Sequence, residues 1–369
     1  MDTRLIPTQR MQASPIARAA CLVYGMLLLY SGLSPWSGWR DLGIDAWAYL
    51  TAPAPHYITT FDLVANVLAY MPFGALIVLA VHPRLRGLAA IALAALGGIF
   101  LSGSIEAVQT YLPTRIASNI DLLTNSLGAL SGAIIAAPLA STLIDRGRLA
   151  DWRRRWFERH ATAVLMAVAA WPLVQIYPAS MLFGNGELRL ALEPVIEALG
   201  GHWWMFDADS FGPAEFVLAE AFVVAASVLA AGLALSSVMR PSAPRYRLLI
   251  ALLCVALAAK SLANAVQFGP DRALAWLTPG AAGGLALGLL SLGAASGGRR
   301  VLQARLALVA LVALMLAVNV VPNNPYHLAQ MQEWRQGRLL NFNALAHWLA
   351  MLWPPALTVG LLSFTPEHS

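Results

Sequence analysis

The residues whose types and spacing could do chemistry are gathered between positions 66 and 125. They are Asn66, Glu106, Gln109, Arg115, Asp121 and Asn125, with Pro72 among them. All lie in or beside strongly apolar stretches, where ionisable side chains are costly and are functional candidates by default. A desolvated carboxylic acid in such a place can serve as a general acid or base. An arginine can take an anionic group through paired N–H bonds, and amides supply further donors and acceptors. The spacing is coherent. Ser102, Glu106 and Gln109 are i, i+4, i+7, and Asp121, Asn125, Gly128 and Gly132 are i, i+4, i+7, i+11. Each set lines one face of a helix. Gly128-x-x-x-Gly132 admits another helix backbone at close range, and Pro72 frees a backbone carbonyl that needs a partner or a cavity.

The elements that position these residues follow from composition. Of 369 residues, 59% are hydrophobic and 12% charged; mean hydropathy is +0.64. A soluble domain is ~25% charged, so a cytosolic enzyme is excluded, and disorder needs the opposite composition. Long continuous apolar runs exclude a membrane barrel, whose strands alternate. An all-α polytopic membrane protein remains. Ten spans of sufficient length are expected at 17–35, 62–81, 87–107, 120–141, 161–178, 213–238, 248–267, 275–295, 301–321 and 344–363. No cleavage-like site follows the first, so it is expected to stay as an uncleaved span.

Twenty-three of the 24 basic residues are Arg, and they mark topology rather than nucleic acid. With a cytoplasmic N-terminus, 17 Arg fall inside and six outside, as the positive-inside rule requires. Both termini are then cytoplasmic. The basic loop 146–160, with Trp152 and Trp156, reads as an anchor on anionic lipid or as a partner site. Cys21 and Cys254 sit in apolar runs without C-x-x-C or metal spacing. The seven His are scattered, and no P-loop, H-E-x-x-H or G-x-S-x-G motif occurs. No metal or cofactor is expected.

Depth joins the polar residues into one cluster. At ~1.5 Å per residue, Asn66, Glu106, Gln109, Asp121 and Asn125 all fall within about two turns of the outer boundary. One reading is an outward polar pocket in which two acids, Arg115 and three amides meet. The other is a structural Glu106–Arg115–Asp121 ion network, with the amides as interhelical hydrogen-bond glue.

The pattern Asn66-x5-Pro72-Phe73-Gly74, then Glu106-x2-Gln109-x5-Arg115-x5-Asp121-x3-Asn125-x2-Gly128-x3-Gly132, resembles the VanZ-like membrane family over about 61–140. Ser118-Asn119-Ile120 departs from it, since the family often has another acid there. The resemblance implies a cell-envelope protein. The family's namesake contributes to teicoplanin resistance, an antibiotic-resistance theme, and no reaction is firmly assigned to the family.

A second copy is expected in the same orientation. SIEAVQ at 104–109 is similar to LANAVQ at 262–267, and FDLVANVLAYM from 61 to FGPAEFVLAEA from 211. Glu106 then aligns with Asn264 and Gln109 with Gln267, so the second copy is degenerate. Chance similarity between apolar helices is the alternative. Glu220 and Lys260, at equal depth, are expected to form a buried ion pair, structural or part of a proton relay.

The expected organisation is 1–145, a VanZ-like membrane domain; 146–160, the basic cytoplasmic loop; 161–300, the degenerate second repeat with outer loop 179–212; and 301–369, two further spans with outer loop 322–343. The expected function is binding of a membrane lipid, a lipid-linked envelope precursor or a lipophilic glycopeptide in the outer pocket formed by Asn66, Pro72, Glu106, Gln109, Arg115, Asp121 and Asn125. The alternatives are an intramembrane enzyme using Glu106 and Asp121, and an accessory or transport subunit for envelope polysaccharide. The expected location is the bacterial inner membrane.

Overall fold

The structure, a computed structural model, describes residues 15–33, 36–53, 60–140, 148–206, 211–322 and 340–364. The expected outer loop 322–343 lies mostly outside them. Every element described is helical: α1 (Pro15–Gly32), α2 (Thr60–Val81), α3 (Gly87–Gln109), α4 (Asn119–Ala140), α5 (Arg148–Trp156), α6 (Thr162–Val174), α7 (Arg189–Ala198), α8 (Pro213–Ser237), α9 (Arg245–Phe268), α10 (Pro279–Ala295), α11 (Arg300–Val320) and α12 (Leu340–Ser363). A short 3₁₀ turn covers Ala48–Leu50. Among the described residues, six helices are long and apolar enough to cross a membrane: α2, α3, α4, α8, α9 and α11. The chain divides into two compact units, Met1–Asp151 and Trp152–Ser369.

The burial pattern is that of a membrane protein. On α3 the buried residues are small or polar apart from Ile105, among them Ala90, Ala94, Gly98, Ser102 and Glu106. Most of the large apolar ones face outward, with Leu88 84% and Phe100 76% exposed. A soluble helix would bury its large side chains. Where lipid replaces water there is no such drive, and small residues win the interfaces because they let backbones approach.

In the first unit α4 lies directly on α2. A Cβ on Gly132 would come within 1.8 Å of the Met71 carbonyl oxygen, and one on Gly128 within 2.3 Å of that of Val67. Gly74 of α2 meets Ala129 of α4 equally closely. Helix α3 completes the group through Gly98, against the Ala129 methyl. Helix α1 is tied on by the Tyr24 hydroxyl, which donates to the Ala69 carbonyl at 2.9 Å.

In the second unit α8 is the central helix and is buried along most of its length. The α8–α10 contact again rests on glycine: Gly284 meets the Ala221 carbonyl and Gly280 that of Val217. Helices α10 and α11 pack on α8, and α12 packs on α6. Trp353 of α12 donates to the Ala167 carbonyl of α6 at 2.8 Å.

One expected span is shorter than its apolar run. Helix α6 ends at Val174, after 13 residues, or about 20 Å, and Met181–Asn185, expected as the start of an outer loop, are buried. Non-helical backbone at such depth needs internal partners, and three polar side chains supply them. Gln267 donates to the Ile176 carbonyl at 3.0 Å and Lys260 to that of Tyr177 at 3.1 Å. Asn319 donates to Gly186 at 2.8 Å and accepts the N–H of Leu188.

The expected Glu220–Lys260 ion pair is therefore corrected. Lys260 spends its charge on the Tyr177 carbonyl, and Glu220 accepts the Thr278 hydroxyl. Equal depth on adjacent helices did not bring the two charges into contact, because a broken-helix segment and the α10 entry turn supplied nearer partners.

Candidate functional site

The polar faces of α2, α3 and α4 converge at one end of the first unit. Glu106, 3% exposed, accepts the backbone N–H of Ser118 at 2.8 Å. Ser118 begins α4: its Oγ accepts the N–H groups of Ile120 at 3.2 Å and Asp121 at 3.4 Å. A hydroxyl in this position caps the helix, so the Glu106 carboxylate is set against a helix N-terminus, whose partial positive charge favours an anion.

Asn66 reaches from α2 to donate to Asp121 Oδ1 at 2.8 Å, with Thr124 Oγ1 at 3.4 Å. Asn125 donates to Ser102 Oγ at 3.0 Å, and its own Oδ1 is buried with no hydrogen-bond partner among the described residues. Arg115 is half-buried in the turn between α3 and α4. Burial pushes its guanidinium below its ordinary value, and the Glu106 carboxylate opposes that push; arginine nonetheless stays a cation.

Two site residues expected here are placed elsewhere. Gln109 turns to α1 and donates to the Gly32 carbonyl at 2.7 Å. Pro72 is exposed on the outer surface of α2, while Phe73 and Gly74 beside it are buried. Gly128 and Gly132 form the α2–α4 contact described above.

Three residues join the cluster that sequence reasoning passed over. Tyr70 lies beside Ser102, in electrostatic range of Glu106 and Asp121; its signal was its place one turn after Asn66. Thr124 follows Asp121 by three residues. Tyr49 comes from the 3₁₀ turn, and its hydroxyl donates to the Gly103 carbonyl at 3.1 Å. Burial pushes its phenol up, and the Glu106 charge adds to the push. Nothing in the sequence marked it. Among the described residues, no three His, Cys, Asp or Glu side chains come together as a metal site.

This is a multi-pass helical membrane protein with a polar cluster buried at one end of a tight three-helix group. Residues 19–141, a third of the chain, match the model of the VanZ/LLP1 family, and the whole cluster falls within the matched stretch. No curated protein and no solved structure matches the chain.

Proposed function

We propose that the VanZ/LLP1 domain holds the polar head of an amphipathic or lipid-linked envelope molecule, or of a lipophilic glycopeptide, at the outer-leaflet side of the bacterial inner membrane. The observation that carries this reading is the Asn125 Oδ1 atom. It is buried without a partner among the described residues, on a helix that also brings Asp121 and beside helices that bring Glu106 and Asn66. A buried acceptor left open costs about 1–3 kcal/mol, and a ligand donor would recover that. Arg115 supplies the charge for an anionic group on the same ligand.

The second reading is an intramembrane enzyme. Its support is that the Glu106 and Asp121 carboxylates, from different helices, lie within electrostatic range of each other. Two carboxyl groups so placed can share acid and base roles.

Native mass spectrometry of the full-length protein in mild detergent, wild type beside Glu106→Gln, tests the binding reading. A defined lipid or glycolipid retained by the wild type and lost in the variant supports it. Identical adducts in both, at equal abundance, refute it. A processed lipid that disappears in both Glu106→Gln and Asp121→Asn supports the enzyme instead. Cytoplasmic termini are part of the proposal. A C-terminal reporter active only outside the cytoplasm stays silent if that orientation holds and is active if it does not.

A further inference from the structure

The contacts that fasten α4 to α2 recur in the second unit. Gly128 abuts the Val67 carbonyl and Gly132 that of Met71; Gly280 abuts that of Val217 and Gly284 that of Ala221. Gln109 donates to Gly32 at the end of α1, and Gln267 donates to Ile176 just after α6. These contacts set one register. Val67 corresponds to Val217, Tyr70 to Glu220, Ser102 to Lys260 and Glu106 to Asn264. Where the first unit carries a hydroxyl and an acid one turn apart on α3, the second carries a cation and an amide on α9.

The side chains at these positions in the second unit face a cavity of about 540 Å³. Cavities of ~300–1,000 Å³ hold small ligands. Lys260 and Asn264 form one wall, Glu220 lies on another, and Phe216, Phe268 and Trp276 supply aromatic surface. Lys260 is 5% and Asn264 4% exposed. The Lys260 ammonium has three N–H donors and among the described residues one protein acceptor, the Tyr177 carbonyl. The Asn264 amide has none among them. Glu220, by contrast, is occupied by the Thr278 hydroxyl. The open groups in the cavity are N–H donors of Lys260 and Asn264, which an anionic head would fill, and apart from Ser180, Thr278 and Glu220 the rest of its wall is apolar.

We propose that this cavity is a second ligand site, which takes an amphiphile with an anionic phosphate or carboxylate head. The head sits on Lys260 and Asn264, and the apolar chain lies along Phe216, Phe268 and Trp276. A buried ammonium with an incomplete set of acceptors is expensive in a low-dielectric setting, and a bound anion completes the set through charge-assisted bonds. The site is independent of the one proposed for the VanZ/LLP1 domain, and its chemistry differs by the replacement of an acid with an amide and a hydroxyl with a cation.

The test is native mass spectrometry of the full-length protein in an uncharged detergent, with dihexanoyl phosphatidic acid as probe. Inorganic phosphate and dihexanoylglycerol are run beside it. One equivalent of the phosphatidic acid is expected on the wild type. Retention should fall about tenfold or more in Lys260→Met, the loss expected for one charged hydrogen bond, and as far in Asn264→Asp, which leaves Lys260 in place and sets a carboxylate where the head would bind. Gly283→Ala, at an open position on α10, should retain the probe as wild type does. The proposal is overturned if both second-unit variants retain the probe fully. It is also overturned if dihexanoylglycerol is held as well as the phosphatidic acid, which makes the cavity merely apolar, or if inorganic phosphate is held as well, which makes the aromatic wall irrelevant. Loss in Glu106→Gln alone would move the bound lipid to the first unit and overturn it too.

Discussion

Glu106 and Ser118 are joined across the turn between α3 and α4: the carboxylate of the one accepts the backbone N–H of the other at 2.8 Å. Ser118 meanwhile caps α4 with its own hydroxyl, so one residue serves two roles that mutation can separate. Ser118→Ala removes the cap and keeps the backbone N–H for Glu106. It should cost about 1 kcal/mol of stability, read as a lower melting temperature, with ligand retention unchanged. Glu106→Gln keeps the shape and an acceptor oxygen but removes the ionisable carboxyl. It should leave the melting temperature close to wild type and remove retention. If Ser118→Ala abolishes retention as well, the cluster is a structural clamp and the binding reading fails.

The α2–α4 contact gives a sharper stability prediction. At Gly132 an added methyl meets the Met71 carbonyl, whereas at Gly283, on the exposed side of α10, it meets nothing within 4 Å. Gly132→Ala must push two backbones apart and should cost about 1–3 kcal/mol. Gly283→Ala should be neutral or slightly stabilising, since alanine is the better helix former. Thermal unfolding of both variants in one detergent checks this, and equal melting temperatures would contradict the packing.

These residues also show how far the sequence could be read. Gly128 and Gly132 were legible because a four-residue spacing of glycine in an apolar helix has one common use, close approach. Asp121 with Asn66, and Asn125 with Ser102, were legible as a cluster because depth in a membrane converts residue number into height. Partners were less legible. Gln109 lies on the face of Glu106 yet bonds to α1, since a long amide takes whichever carbonyl is nearest, and periodicity says nothing of neighbouring chains. Lys260 failed as an ion-pair partner for a similar reason: hydropathy hid the break after Val174, and with it the Tyr177 carbonyl that Lys260 serves. Pro72 was expected in the pocket, but its direction, outward, depends on which face α4 covers.

The Asn66–Asp121 hydrogen bond, 2.8 Å between α2 and α4, should be worth more than its neighbours where Asp121 is ionised, since bonds to charged groups are the stronger ones. A double-mutant cycle of Asn66→Ala and Asp121→Asn should give a coupling of about 1.5–3 kcal/mol. Additive effects would mean that Thr124 and Ser118, rather than Asn66, hold Asp121 in place.

In the second unit, Glu158 gathers two arginines of unequal value. Its Oε1 lies 2.6 Å from the Arg300 guanidinium and 3.7 Å from that of Arg240. The Arg300 side chain is 15% exposed and the Arg240 side chain 35%. Distance and solvent screening both favour the first pair, since an exposed ion pair contributes at most about 1 kcal/mol. Arg300→Gln should therefore lower the melting temperature clearly more than Arg240→Gln. Salt should discriminate as well, because it screens exposed charges and spares buried ones. The Arg240→Gln deficit should shrink as sodium chloride rises from low to molar concentration, and the Arg300→Gln deficit should persist. If the two deficits are equal and vanish together in salt, the Glu158–Arg300 contact is a surface pair and contributes nothing particular to the second unit.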